Sequence, residues 1–86
     1  MTEEEFRKIT DGLKDKYCDV YTTAGILENV VFLKSNRVNG MLQMIIRATG
    51  NLRERLKNIA GSDGKTTKNN EYGIPVEFII SIEFKS

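Results

Sequence analysis

The sequence predicts an α+β domain with elements in the order α-β-β-α-β, a three-stranded sheet with two helices packed on one face. Three observations carry this reading. Apolar residues recur at helical spacing near the N-terminus and again across residues 40–60; two β-branched and aromatic runs flank Gly25; the final segment alternates apolar and polar side chains. The 86 residues amount to one domain, 1–86. A core of that size leaves little net stability, so self-association would be unsurprising.

The first helix is expected over residues 3–16. Thr2 can accept an amide hydrogen bond while Glu5 reaches back to it, and Glu3, Glu4 and Glu5 suit the positive end of a helix. Phe6, Ile9, Leu13 and Tyr17 then form one narrow apolar stripe, weakened by Gly12. Residues 18–24 and 26–34 read as two strands of a hairpin turning at Gly25. The second run is apolar on both faces at Val30-Val31-Phe32-Leu33, which marks a central strand.

Residues 38–48 fit two templates. Asn39-Gly40 is a hairpin signal, after which Leu42, Met44, Ile46 and Ala48 alternate as a strand would. Over a longer window Met41, Ile45, Ala48, Leu52, Leu56 and Ile59 follow the helical period, with Asn39 as N-cap and Gly61 as the C-terminal stop. The longer match favours a helix from 40 to 60, against which only Ile46 and Gly50 stand. Residues 61–73 read as a polar connection. In the last segment Val76, Phe78, Ile80, Ile82 and Phe84 point one way, and Ile79 is the lone apolar residue among the polar ones opposite. Pro75 suits a strand start, where a missing donor matters least.

Composition narrows the function. There is no histidine and one cysteine, Cys18, which argues against a His/Cys metal site, a Ser-His-Asp constellation or an internal disulfide. No cofactor or small-molecule substrate is indicated. An acidic N-terminus and the lack of a long apolar run predict no signal peptide and no membrane span, hence a cytoplasmic protein. The net charge of +1 conceals a partition: residues 1–33 carry −3, residues 34–68 carry +6 and residues 69–86 carry −2. A basic middle between acidic ends suits an anionic partner, although a solvated arginine-rich helix surface would look the same.

The stretch "NIAGSDGKTTK" (58–68) has the look of a phosphate loop. A Walker-type spacing would need glycine at position 59, which is Ile59, and would follow a strand. Helix followed by Gly61-x-x-Gly64 also resembles the Gly-x-x-Gly loop of K-homology (KH) domains, where the backbone approaches a nucleic-acid strand. The plainer reading is a helix stop at Gly61 and a turn at Gly64.

A stronger resemblance involves "IIRATGNLRERL" (45–56) and "IPVEF" (74–78), which are similar to segments of the ribosome-binding factor A family. The family has a KH-like (type II) fold whose two central helices meet at an Ala-x-Gly kink, matched here by Ala48-Thr49-Gly50. Such a kink also gives Gly50 a physical role, since glycine tolerates a broken helical ladder. The resemblance covers about half the chain; the first hairpin is shorter than in the family, and residues 61–69 add a polar insertion. It implies a small RNA-binding module acting on RNA or the small ribosomal subunit during its maturation. Arg47, Gly50, Arg53, Arg55 and Lys57 would lie on the phosphate backbone, with Lys65 and Lys68 reaching from the polar stretch.

A second reading is a protein-interaction or oligomeric structural subunit, for example a phage-encoded accessory protein, with Ile79 on an edge strand as the contact. An enzyme fits least. Glu77 and Glu83 share a strand face, but six residues separate them by roughly 20 Å, too far for paired acid–base work.

Overall fold

The computed structural model describes residues 1–48 and 71–85. They form one helix, α1 (Glu3–Thr10), and five strands: β1 (Lys16–Thr22), β2 (Gly25–Val38), β3 (Met41–Arg47), β4 (Glu71–Pro75) and β5 (Ile79–Phe84). One turn of 3₁₀ helix, Val76–Phe78, joins the last two strands. All five strands belong to a single antiparallel sheet in the order β4-β3-β2-β1-β5. The expected α-β-β-α-β arrangement, with three strands and two helices on one face, is therefore incorrect.

The largest correction falls on residues 40–48, expected to open a long helix. Asn39 and Gly40 have φ of 52° and 79°. They close a two-residue turn with Val38 paired to Met41. Two successive positive φ values are the signature of the tight hairpin turn whose twist matches the strands it joins, and they are incompatible with starting a right-handed helix. From there Leu42, Met44 and Ile46 alternate into the core while Met41 and Arg47 stay exposed. The rest of the proposed helix, from residue 49, and the polar stretch to residue 70 lie outside the described residues; Glu71–Pro75, whose first three residues were assigned to that stretch, is a strand.

The N-terminal cap forms as expected. Glu5 N–H donates to Thr2 Oγ1 at 3.1 Å, and Thr2 N–H donates to Glu5 Oε1 at 3.3 Å. The helix stops at Thr10 and does not reach residue 16, because Gly12 and Asp15 both adopt left-handed φ (74° and 64°). Thr10 Oγ1 donates back to the Phe6 carbonyl at 2.7 Å, and Asp15 N–H donates to the Phe32 carbonyl at 2.7 Å, which leads the chain into β1. Tyr17, expected on the helical stripe, is a strand residue.

β4 and β5 are the two outermost strands, yet only the Val76–Phe78 turn separates them in the chain. Laid flat, four inter-strand steps of about 4.8 Å would hold them roughly 19 Å apart. The four Cα steps from Pro75 to Ile79 span at most about 15 Å, and a 3₁₀ turn shortens that further. The sheet must therefore curl. β-Bulges bend it: Glu28 and Asn29 together oppose Asp19, Leu33 is the extra residue between the Phe32–Ile46 and Lys34–Ile45 pairs, and Ile80 is extra in β5. β2 is 14 residues long, pairs with β1 along its first part and with β3 along its second, and lies at the centre of the sheet.

The concave side holds the core. Val20, Leu27, Met44, Ile46 and Ile74 are fully buried there, and Phe6 of α1 packs against Phe32. The helix is anchored a second time by Arg37, whose guanidinium donates to Glu3 Oε1 (2.7 Å), Glu3 Oε2 (3.3 Å) and the Gly40 carbonyl (2.9 Å).

Candidate nucleic-acid interface

With the core inside, the convex face carries the side chains available to a partner. Strand alternation fixes which these are. Tyr17 flanks buried Cys18, Val31 stands between buried Val30 and Phe32, and Arg47 follows buried Ile46, so all three point outward. The register sets them side by side: Tyr17 opposes Val31, and Val31 opposes Arg47. Lys85 extends the row past Tyr17, its N–H donating to the Tyr17 carbonyl at 2.9 Å. Glu71 closes the row on the other side, opposite Arg47. Lys34, opposite Ile45, lies one row further along β2 and is also exposed.

Of the residues expected to meet nucleic acid, Arg47 is exposed at the end of β3. Gly50, Arg53, Arg55, Lys57, Lys65 and Lys68 lie outside the described residues. The ends of that stretch are fixed: it leaves after β3 and returns at β4, where Arg47 and Glu71 are direct cross-strand neighbours. Arg37, also part of the basic middle of the sequence, is held by Glu3. Ile79, expected as an oligomer contact, is 1% exposed and belongs to the core. The bulge at Ile80 reverses the phase of β5, so Ile80 is the outward residue, 62% exposed. Tyr17 was missed as a site residue because helical spacing assigned it to an apolar stripe.

The outer face toward the Thr23–Ala24 turn is acidic. Asp19 and Glu83 oppose each other on β1 and β5, and the Tyr21 hydroxyl lies 3.4 Å from Glu83 Oε2. Glu83 and its neighbouring acids push the Tyr21 phenol above its ordinary pKa. Asp19 is held below the usual carboxylate range, first by the Asn29 N–H donated to its Oδ1 at 2.8 Å and then by Lys85, whose Nζ lies 3.3 Å away. Asn29 has a φ of 59° at the bulge, a left-handed conformation that asparagine tolerates better than most residues. Its Oδ1 also accepts from Lys85 Nζ at 3.1 Å.

Cys18 is buried, and desolvation, followed by the nearby Asp19 charge, raises its thiol to about 11. Such a thiol is a poor nucleophile at neutral pH. Among the described residues no group of three or more His, Cys, Asp or Glu side chains is placed to hold a metal ion, and no helix is long and apolar enough to cross a membrane.

No protein-family model matches the chain, and comparison with curated proteins and with solved structures finds no significant match.

Proposed function

We propose that this chain is a small, non-enzymatic RNA-binding module. The observation that carries the reading is the separation of charge across the convex face. Lys34 and Arg47 stand outward on β2 and β3, with Glu71 of β4 opposite Arg47, whereas Asp19 and Glu83 stand on β1 and β5. Between β3 and β4 the sequence also carries Arg53, Arg55, Lys57, Lys65 and Lys68 against only Glu54 and Asp63. A cationic half-surface of this kind gains affinity for a polyanion by releasing its condensed counterions. The lone free thiol suits a reducing, cytoplasmic setting. The resemblance to ribosome-binding factor A points to the same ligand class, but the fold it implies is not the one observed. RNA binding therefore rests on the charge pattern, and a role in small-subunit maturation rests on the two short motifs alone.

The test is a salt titration of binding to labelled single-stranded RNA. About four to six phosphate contacts give a log–log slope near −3 to −4. Affinity that stays flat from low to physiological salt would overturn the reading.

A second reading, self-association, is favoured by Ile80, which projects from an outermost strand of the sheet. Light scattering separates the two: a stable oligomer that retains no RNA and dissociates in Ile80→Lys supports assembly as the function.

A further inference from the structure

We propose that the outer-face row Lys85–Tyr17–Val31–Arg47 is a stacking platform for single-stranded RNA, Tyr17 holding a base while Arg47 and Lys85 meet the flanking phosphates. This deepens the RNA-binding reading and rests on it. Tyr17 is 57% exposed and is the large aromatic side chain of this face at the end away from Glu83. Its ring takes no part in the edge-to-face contacts that occupy Phe6, Phe32 and Phe84. Beside it Val31 is half-buried and forms an apolar floor. Opposed residues on neighbouring strands are about 5 Å apart, so Arg47 lies roughly 10 Å from Tyr17 across Val31, and Lys85 about 5 Å to the other side.

A ring with cations on both sides is what single-stranded binding requires. Every base has a π-face, and the charges follow the backbone without reading sequence. The groove beside Tyr17 is lined by Leu13 and Phe84 as well as Asp15, Lys16, Asn29 and Lys85, adding apolar surface, one further cation and one acid. Lys85 pairs with the half-buried Asp19 carboxylate and donates to Asn29 Oδ1, so a phosphate must compete for its ammonium, which is itself partly exposed, and Arg47 is the stronger phosphate contact of the two. The acids Asp19 and Glu83 occupy the row nearer the Thr23–Ala24 turn and Glu71 bounds the Tyr17 row beyond Arg47, which confines the strand to the Lys85–Arg47 span.

Fluorescence anisotropy with a labelled oligouridine of about ten nucleotides, at fixed low salt, tests the platform. Tyr17→Ala should weaken binding about 5- to 150-fold, and Tyr17→Phe should stay within about twofold of the parent. Tyr17→Thr, which keeps a strand-forming side chain but no ring, repeats the test should the alanine variant fold poorly. Arg47→Ala should flatten the salt slope by about 0.7. Parent protein that binds the oligomer while Tyr17→Ala and Tyr17→Thr bind equally well would overturn the platform and leave the RNA-binding reading standing. A duplex competing as well as the single strand would do the same. Parent protein that binds no RNA would overturn both.

Discussion

Phe6, from the helix, and Phe32, from the middle of the sheet, meet edge to face, with ring centroids 6.0 Å apart and planes at 89°. Phe32 makes a second such contact with Phe84 at 6.2 Å and 74°, so three distant segments share one aromatic contact chain. An eight-residue helix is too short to be stable alone, and its attachment through Phe6 is what makes it persist. Phe6→Ala is expected to lower stability by about 3–5 kcal/mol, a large share of what a small domain has. Phe6→Leu, which keeps most of the volume, should lose clearly less. Urea denaturation followed by circular dichroism gives both values.

Gly40 distinguishes a hairpin from a helix by the sign of one substitution. At its φ of 79° an alanine is strained, and Gly40→Ala should destabilise by about 1–2 kcal/mol. Inside a helix the same change would stabilise by about 1 kcal/mol. Thermal or chemical denaturation reads the sign directly.

Neighbouring isoleucines on β5 should behave oppositely. Ile79→Ala removes a buried side chain and is expected to cost about 2–5 kcal/mol. Ile80→Lys alters a surface position and should change stability by no more than about 0.5 kcal/mol. Equal losses at the two positions in a denaturation series would contradict the bulge that separates them.

Acid should weaken the fold through three carboxylates, exposed Glu3 and Glu5 and half-buried Asp19. Glu3 is held low chiefly by its hydrogen bond with Arg37, Glu5 by the Thr2 hydroxyl, and Asp19 by the Asn29 N–H. Each has a folded pKa below its unfolded one. The stability they add is thus complete above the ordinary carboxylate values, near 4, and is lost as pH falls through the lowered ones. Asp19→Asn should flatten that limb when the thermal midpoint is followed against pH. The alkaline limb has the opposite origin: the Cys18 thiol ionises at lower pH unfolded than folded, so stability should fall as pH rises toward about 11.

Local signals in the sequence were legible where one short motif decides the structure. The Thr2–Glu5 cap, the hairpin at Gly25 (its turn lying two residues earlier, at Thr23–Ala24) and the central position of the Val30–Leu33 run follow from side-chain chemistry within a few residues. Met41–Arg47 was misread because both periods fit it: Met41, Ile45 and Ala48 match a helix, while Leu42, Met44 and Ile46 match a strand. The Asn39-Gly40 turn, a two-residue feature, outweighs the longer periodic match. The last segment looks like one continuous strand because the Val76–Phe78 turn contains no glycine to mark it, and the bulge at Ile80 exchanges the facings of Ile79 and Ile80, whereas Ile82 and Phe84 face the core as expected. Tyr17 became visible as a site residue only through register, since its neighbours Val31 and Arg47 are distant in sequence.

Whether residues 41–47 are a strand held between β2 and β4 is read most directly from backbone proton–proton NOEs at Arg47. Cross-strand NOEs to Val31 on one side and to Glu71 on the other are expected. A series of i,i+3 NOEs from Met44 to Arg47, with neither cross-strand contact, would contradict the sheet and the outer-face row together.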